Sequence, residues 1–354
     1  MALLSIDGLV VSPSASVRDA IATIDASGRQ IALVVDNDGL LHGVVTDGDI
    51  RRGILRGVDL ASSVADIMNA SPTVAHASDS PDGIIALMSE LVIRHIPVLD
   101  DAQRVIGVFT GGELSVSPVL STPVVLMAGG RGQRLYPLTK DTPKPMLPIG
   151  DVPMLEIILR NLAAQGFVNI YISVNYLADV IIDHVGDGKR LGLNVTYLRE
   201  EAPLGTAGAL AQLNGVISEP LIVMNSDLLT DVNLRRLLAF HLKQQAKATV
   251  GVREYLFEIP FGVVDLDGPY VKSMLEKPTH RSLVNAGIYA LDSSALSLLP
   301  ANSYCDMPTL LSLLMESGDP VSAFPIHEQW LDVGRPEDLT RAQSNSAHWA
   351  QLPD

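Results

Sequence analysis

The chain has almost no cysteine and no long apolar run, and both absences limit the classes of protein to which it can belong. Only Cys305 carries a thiol among 354 residues, so an internal disulfide is impossible. No apolar run approaches the roughly 20 residues that a membrane-spanning helix needs. The first residues, MALLSIDGLVV, lack the basic start of a signal peptide. We therefore expect a cytoplasmic protein without a membrane partner, in which Cys305 is buried.

Positive charge is also scarce. The chain has 25 Lys and Arg against 40 Asp and Glu, a formal net charge of −15, and residues 1–120 contain no lysine. Affinity for duplex nucleic acid comes mostly from neutralising phosphates with basic side chains. The composition thus argues against a nucleic-acid partner, whereas a small anionic substrate needs only a local concentration of positive charge.

The first 120 residues contain an internal duplication. Residues 11–50 align with residues 75–114 at an offset of 64 without a gap. Each copy predicts a helix (17–27 in the first copy), a strand, a turn, a second strand and a further helix. That last helix opens at Asp47 in the first copy and at Gly111 in the second. A duplication of this kind sets the architecture of the segment.

This segment resembles a tandem pair of CBS domains, an α+β module, with repeats at about 4–58 and 62–118. The resemblance rests on the motif Gly-Val-Val-Thr-Asp-Gly-Asp at 43–49. In that family a Thr and an Asp at a helix N-terminus bind an adenosine ligand, which implies an adenine nucleotide at Thr46 and Asp49. The same two residues could instead only cap their helix. The second copy has Glu113 in place of the Asp.

From residue 121 to residue 354, apolar strands alternate with amphipathic helices. The strands are PVVLMA, NIYISVNY, NVTYLRE and PLIVMNSD, and the helices are PMLEIILRNLAAQGF and DVNLRRLLAFHLKQQA. This alternation predicts a three-layer α/β domain with its site at the carboxyl ends of the strands. Residues 115–123 are rich in Pro and Ser and fit a linker. We therefore expect one domain at 1–120 and another at 121–354.

The stretch LMAGGRGQRLYPLTKDTPKPMLP at 126–148 combines glycines with basic residues. It lacks the third glycine of a dinucleotide fingerprint and the Gly-Lys-Ser/Thr ending of a P-loop. Its glycines let backbone amides approach a triphosphate closely. Arg134 and Lys144, the latter between two prolines, add fixed positive charge. These features suit the stabilisation of charge on a phosphoryl group in transfer.

At these residues the chain resembles the sugar-1-phosphate nucleotidyltransferases, over about 123–340. Their signature Gly-Gly-x-Gly-x-Arg-Leu-x-Pro-Leu-Thr, followed by Pro-Lys-Pro, occurs at 129–139 and 143–145. The resemblance implies a Rossmann-like nucleotidyltransferase domain with a mixed, mostly parallel sheet. It implies transfer of a nucleotidyl group from an NTP to a sugar 1-phosphate, with release of pyrophosphate. It assigns catalysis to Arg134 and Lys144 and nucleotide binding to Ala128, Gly129, Gly130 and Gly132.

The segment EEAPLGTAG at 200–208 resembles the family's nucleobase-binding segment. By that resemblance Gly205 and Thr206 lie against the base, and the base-reading position five residues earlier is Glu200. A carboxylate accepts two hydrogen bonds, which matches the N1–H and N2–H₂ edge of guanine. The sequence therefore favours GTP. Thymidylyl or uridylyl transfer is the alternative, since those enzymes often have Gln at this position.

Further motifs of the family follow in order along the chain. Asp227 in NSD and Asp332 in WLDVG correspond to the pair that holds one Mg²⁺. Lys277 in EKP corresponds to the catalytic lysine that holds the acceptor phosphate, and the resemblance assigns sugar contacts to Gly262, Glu276 and Asn285. A regulatory protein on the same fold would be expected to lose some of these groups, so an enzyme is favoured. We expect it to be a homo-oligomer, with a CBS pair that could regulate the transferase.

Overall fold

A computed structural model of the chain describes residues 3–80, 83–84, 87–88, 93–110 and 119–350. The chain divides into two compact units, residues 1–116 and 117–354, and each unit has its own apolar core. Part of the expected linker, 115–118, lies outside the described residues. In the described residues, no helix has the length and apolar character that crossing a bilayer requires.

The first unit repeats one small β-sheet plan. Its strands β1–β7 are Leu3–Leu4, Val10–Val11, Ile31–Val35, Leu41–Thr46, Ala75–His76, His95–Leu99 and Val105–Thr110. Strands β3 and β4 are antiparallel beside a parallel β2, and strands β6 and β7 are antiparallel beside a parallel β5. Strands β6 and β7 begin and end 64 residues after β3 and β4, and both pairs shift register at the same place. The duplication in the sequence is thus confirmed in the structure.

The helices of the first repeat occupy the predicted positions, with α1 at Val17–Ser27 and α2 at Asp47–Leu55. Helix α1 begins where the hydroxyl of Ser16 accepts from the amide of Asp19 and the Asp19 carboxylate accepts from the amide of Ser16. It ends at Gly28, whose φ of 63° suits a residue without Cβ. The helix that was predicted to open at Gly111 lies outside the described residues, as does Glu113.

The second unit is built on a seven-stranded sheet. Its strands β8–β20 are Val124–Met127, Pro148–Ile149, Val152–Pro153, Asn169–Val174, Asn194–Arg199, Leu221–Asn225, Leu228–Thr230, Ala248–Glu258, Val263–Asp267, Tyr270–Leu275, Thr279–Leu291, Val321–Ile326 and Trp330–Asp332. The sheet has the order β12-β11-β8-β13-β18-β15-β19. Strands β12, β11, β8 and β13 are mutually parallel, and β18 is antiparallel to both of its neighbours. The mixed, mostly parallel sheet is therefore confirmed.

Helices cover both faces of this sheet. Helices α3–α8 are Met154–Ala164, Ala178–Val185, Leu234–Gln244, Met307–Glu316, Pro336–Ser344 and Ser346–Ala350. Along β8, Val124 and Leu126 belong to one core with the buried face of α3, while Val125 belongs to a second core with α6. This is the expected three-layer arrangement. Helix α5 begins three residues later than its sequence pattern suggests, because the side chain of Asn233 caps it by accepting from the amide of Arg236.

The order of the parallel strands places several loops at one edge of the sheet. The chain runs from β8 to β11 and β12 on one side of β8 and then crosses to β13 on its other side, so the strand order reverses at β8. The carboxyl ends of parallel strands share one edge, and ligands of α/β sheets bind in the crevice beside such a point. The segments that follow the four strands begin at Ala128, Asn175, Glu200 and Ser226. The predicted nucleotide residues therefore converge on this edge.

A buried carboxylate ties α3 to the segment after α4. Glu156 is only 4% exposed, and its oxygens lie 2.7 Å from Nη2 of Arg160, 2.7 Å from Nε2 of His184 and 3.0 Å from Nη2 of Arg190. These contacts, with Arg190 the strongest, outweigh burial and hold the pKa of Glu156 at about 2. The ionised form of Glu156 is thus strongly favoured in the folded unit.

Replacing Glu156 by Gln should lower the free energy of unfolding near neutral pH by on the order of 2 kcal/mol. Because folding lowers the pKa of Glu156, its contribution is complete above about pH 5 and is lost as the pH falls towards 2. Urea unfolding at a series of pH values should therefore show the variant and the parent converging. Asp187→Asn, which removes an exposed ion pair with Lys189, should change little. A deficit of Glu156→Gln that did not shrink with acidification would contradict this explanation.

Candidate active site

The glycines of the signature loop make room for neighbouring side chains. A Cβ on Gly129 would lie 2.7 Å from Oε1 of Glu200, and a Cβ on Gly132 would lie 2.9 Å from Cγ2 of Thr139. Gly132 also has a φ of 60° and its carbonyl accepts from the hydroxyl of Thr139 at 2.9 Å. No described residue lies within 4 Å of a Cβ built on Gly130, so that side of the loop is open. The signature loop and Glu200 are therefore adjacent.

An ion pair joins the signature segment to the end of β13. Nζ of Lys144 contacts Oδ2 of Asp227, and both side chains are mostly buried. The carbonyl of Asp227 accepts from the amide of Val333 at 3.0 Å, and Leu228 pairs with Asp332 between β14 and β20. Three segments that are distant in sequence thus meet here, each with one of the predicted residues.

The two aspartates share a charged environment with Lys144 and Arg134, two of the three predicted catalytic cations. Oδ1 of Asp227 is buried and has no hydrogen-bond partner among the described residues. Burial, followed by the charge of Asp227, raises the pKa of Asp332, while Lys144 and Arg134 oppose that rise. A carboxylate oxygen without a partner beside a second carboxylate is a ligand set that a hard divalent cation satisfies. The residues present therefore fit the metal that the sequence implies.

The side chain of Glu200 is oriented by its neighbours. The hydroxyl of Ser173 donates to Oε1, and the amide of Leu204 donates to Oε2 at 2.9 Å. Nδ2 of Asn175 donates to the carbonyl of Glu200 at 2.7 Å. Each carboxylate oxygen offers about two acceptor positions, so one on each oxygen is left for a ligand.

Several of these supporting residues lie outside the sequence motifs. Ser173, Asn175 and Tyr176 lie at the carboxyl end of β11 or just beyond it, and the hydroxyl of Tyr176 donates to the carbonyl of Lys140 at 2.8 Å. Polar residues that end a parallel strand are a usable signal, because that edge of a sheet holds the ligand. Asp306, which contacts Thr206, also lies outside the motifs. Nothing local to it marks a contact with a residue one hundred positions earlier.

The predicted sugar residues lie around the small sheet β16–β17. Gly262 precedes it and Glu276 follows it, and a Cβ on Gly262 would lie 3.1 Å from Oε2 of Glu276. Lys277 has a φ of 46°. Non-glycine residues rarely adopt such a backbone, and those that do cluster at functional sites. The structure therefore brings Gly262 and Glu276 together, next to a strained Lys277.

Asn285 is connected to the end of β13, which precedes Asp227, through a glycine. Its Oδ1 accepts from the amide of Gly287 at 2.9 Å. Gly287 has a φ of 71°, and a Cβ there would lie 2.8 Å from Nδ2 of Asn225, the last residue of β13. Strand β18 thus runs from the predicted sugar residues to within two residues of Asp227.

In the first unit, both carboxylate oxygens of Asp49 are bonded within its own helix turn. Oδ2 accepts from the amide of Thr46 at 2.9 Å and from its hydroxyl at 2.6 Å, and Oδ1 accepts from Nη2 of Arg52. A cavity of about 480 Å³ adjoins these groups and is also lined by Arg56 and Asp66. The geometry is that of a helix cap beside an open cavity.

Comparison with known proteins identifies the family. Residues 123–348 match the family model for nucleotidyl transferases, and residues 5–56 and 64–115 each match the model for CBS domains. Because the first match covers more than half of the chain, the chain belongs to the nucleotidyl transferase family. The two resemblances drawn from the sequence are both confirmed.

Relatives and solved structures agree with this assignment. The chain is 33% identical over 229 residues to the mannose-1-phosphate guanylyltransferase of Mycobacterium tuberculosis (strain ATCC 25618 / H37Rv), covering 62% of this chain and 63% of the relative. It is 32% identical over 224 residues to the mannose-1-phosphate guanyltransferase of Pichia angusta, covering 61% of each. The chain thus spans less than two thirds of the length of these relatives. HddC from Yersinia pseudotuberculosis, also solved complexed with GMP-PN, matches with a TM-score of 0.51 and 28% identity over 63% of this chain and 99% of that one.

Lys144→Met should expose the competition between the lysine and a divalent cation for Asp227. Removing the ammonium leaves a buried carboxylate unpaired, which should lower the free energy of unfolding by about 1–3 kcal/mol. Added Mg²⁺ without nucleotide should then raise the melting temperature of the variant more than that of the parent, by mass action.

Lys189→Met, which removes an exposed lysine paired with Asp187, is the matched control and should respond to Mg²⁺ as the parent does. Equal Mg²⁺ responses of Lys144→Met and the parent would show that Lys144 does not compete at this site. Differential scanning fluorimetry over a series of Mg²⁺ concentrations measures both effects.

Proposed function

We propose that this chain transfers a guanylyl group from GTP to a sugar 1-phosphate, giving a GDP-sugar and pyrophosphate. The observation that carries the proposal is the meeting of the glycine loop, Lys144, Asp227 and Asp332 at one sheet edge, beside the carboxylate of Glu200. The names of the relatives, which are mannose-1-phosphate guanylyltransferases, support both the reaction and the base. The GMP-PN complex of HddC supports a guanine nucleotide on this fold.

The chemistry requires positioning and charge rather than a general base. The phosphate of the acceptor is already anionic, so its oxygen can attack the α-phosphorus of GTP directly while pyrophosphate leaves. Lys277 holds that acceptor phosphate, and Arg134 and Lys144 offset the charge that develops on the leaving pyrophosphate. The amides of residues 128–132 hold the triphosphate in line with the attacking oxygen.

Asp227 and Asp332 are the residues that would hold Mg²⁺. When bound, this ion supplies positive charge that both reacting phosphates share. Without it, Lys144 neutralises Asp227, and in the complex we expect the same ammonium to serve the phosphates. Lys144 therefore has two anionic partners, and their relative affinities determine how tightly metal and nucleotide binding are coupled.

The choice of base rests on Glu200. Ser173 and the amide of Leu204 each occupy one side of its carboxylate, leaving two acceptor positions for the N1–H and N2–H₂ of guanine. Uracil and thymine present one donor and two acceptors on that edge. If one oxygen of the carboxylate accepts from that donor, the other oxygen faces a carbonyl of the base. This contact is repulsive, so uracil and thymine are disfavoured.

We also infer separate roles for the two parts of the chain. Residues 121–354 would form the catalytic domain, and residues 1–120 would form a module that senses an adenine nucleotide beside Thr46 and Asp49. The cavity there is lined by Arg52 and Arg56 together with Asp49 and Asp66, so it offers a ligand both basic and acidic groups. We also propose that the enzyme is cytoplasmic and works as a homo-oligomer.

The proposal is tested by measuring pyrophosphate release with GTP, ATP, CTP, UTP and dTTP against a panel of sugar 1-phosphates that includes mannose 1-phosphate. We expect release only when NTP, sugar 1-phosphate and Mg²⁺ are all present, with GTP preferred. Asp227→Asn should abolish release while the fold is kept, with a loss of stability similar to that of Lys144→Met because it breaks the same ion pair. A preference for UTP or dTTP would overturn the assignment of guanine as the base. The absence of pyrophosphate release with every pair of NTP and sugar 1-phosphate would overturn the proposed reaction.

Glu200→Gln should reduce kcat/KM for GTP by about 10- to 100-fold, because one acceptor facing guanine becomes a donor. The ratio of kcat/KM for GTP to that for UTP or dTTP should fall with it. Glu201→Gln changes the exposed neighbouring carboxylate and should leave both quantities unchanged. An unaltered GTP preference in Glu200→Gln would remove Glu200 from base recognition.

A further inference from the structure

The segment predicted to bind the nucleobase is fastened to a second segment one hundred residues later. The amide of Cys305 donates to the carbonyl of Leu204 at 2.9 Å. The carbonyl of Cys305 in turn accepts from the amides of Ala207 at 2.9 Å and Gly208 at 3.0 Å. Residues 204–208 are thus held from both ends by a single residue of the segment that leads into α6.

Between these ends, Asp306 and Thr206 cap each other's backbone. Oδ1 of Asp306 accepts from the amide of Thr206 at 3.0 Å and lies 3.3 Å from its hydroxyl. The hydroxyl oxygen of Thr206 accepts from the amide of Met307, the first residue of α6, at 2.8 Å. Each side chain therefore satisfies an amide of the other segment, in the manner of a capping box formed between distant parts of the chain.

Asp306 is unusual for a residue at this position. An Asp at the N-cap ordinarily accepts from an amide of its own helix. Asp306 precedes α6, yet within the described part of the chain its side chain makes no such bond to that helix. Its acceptors are committed to Thr206 and to the hydroxyl of Tyr304, which donates to Oδ2 at 2.6 Å.

Backbone proximity makes this arrangement rigid. Gly205 has a φ of 79°, and a Cβ there would lie 2.6 Å from the carbonyl oxygen of Cys305 and 2.8 Å from Oδ1 of Asp306. A Cβ on Gly208 would lie 2.5 Å from the carbonyl oxygen of Ser303. The two segments therefore approach more closely than side chains would allow, and neither can slide along the other.

The carboxylate of Asp306 is held in its charged form. The hydroxyl of Tyr304 lowers its pKa most, burial opposes this, and the two donors of Thr206 lower it further. A charged acceptor forms stronger hydrogen bonds than a neutral one. The hydrogen bonds that Asp306 accepts from Thr206 are therefore intact at neutral pH.

We propose that Asp306 is a positioning residue for the nucleoside triphosphate. By holding Thr206 and Gly205 against residues 304–307, it fixes the backbone that faces the base beside Glu200. The inference rests on the proposed function, in which Gly205 and Thr206 receive the base. Asp306 acts through Thr206, whereas Lys144 and Asp227 belong to other segments. Its loss should therefore weaken nucleotide binding and leave the chemical step unchanged.

The test compares Asp306→Ala and Asp306→Asn with the parent in the full chain. Asp306→Ala should raise KM for GTP about tenfold, with kcat and KM for the sugar 1-phosphate changed less than about twofold. Asp306→Asn keeps an acceptor for the amide of Thr206 and should restore most of the affinity. Titration calorimetry with GTP should show the same order in Kd. Tyr304→Phe, a milder change at an exposed side chain, should shift KM in the same direction and covers the case in which Asp306→Ala does not fold.

Asp292→Ala is the matched control. Asp292 also precedes a helical turn in the second unit, and its Oδ1 accepts from the amide of Ser294 at 2.9 Å. It should lose a similar amount of stability without a change in KM for GTP. If Asp306→Ala resembled Asp292→Ala, or lowered kcat and both affinities together, Asp306 would have no specific positioning role.

The outcomes separate this inference from the proposed function. A parent that binds GTP without turnover, while Asp306→Ala binds it tenfold more weakly, would support the positioning role and overturn the proposed reaction. Full turnover by the parent, together with unchanged Kd and KM for GTP in Asp306→Ala, would support the proposed reaction and overturn the positioning role. A parent that neither binds nor turns over any NTP would overturn both.

Discussion

The ion pair between Lys144 and Asp227 is the contact on which the second unit's site depends. It joins a rigid, proline-flanked part of the signature segment to the end of the central strand β13. The carbonyl of Asp227 also binds the segment after β20, so Asp332 is brought to the same place. In a chain with a net charge of −15, this concentration of cations is local. The lysine that joins these segments is therefore the same one that, in the proposed function, serves the triphosphate.

The part of the site around Glu200 and Gly205 depends on close backbone approach instead of charge. Gly129 lets the Glu200 carboxylate lie against the phosphate loop, and Gly205 lets the base segment lie against Asp306. In both places a Cβ would stand less than 3 Å from an oxygen. Glu200 thus lies between the two, because its Oε1 faces the signature loop at Gly129 and its Oε2 accepts from the amide of Leu204.

Much of the fold follows from the sequence, because repeats and alternation are collective signals. The 64-residue offset predicts the positions of β6 and β7 correctly from those of β3 and β4. Apolar runs predict the strands of the parallel sheet. Boundaries depend on single side chains and are harder, as the start of α5 at its Asn233 cap illustrates. The site residues predicted from motifs remain predictions in their roles. Of their supports, Ser173 is marked by its place at the end of a parallel strand, whereas nothing local marks Asp306, whose partner Thr206 lies 100 residues away.

Asp49 and Asp306 show why local pattern alone cannot assign a carboxylate. Asp49 lies in the first turn of α2, and Asp306 directly precedes α6. Each would be expected to cap the N-terminus of its own helix. Asp49 does so, with Thr46 and Arg52 as partners in its own turn. Asp306 instead serves the backbone of Thr206 in another segment. A ribose could reach Asp49 only by sharing its oxygens with Arg52 or displacing it. The tertiary partner, which the sequence does not display, thus decides whether such a carboxylate is a cap, a clamp or a ligand site.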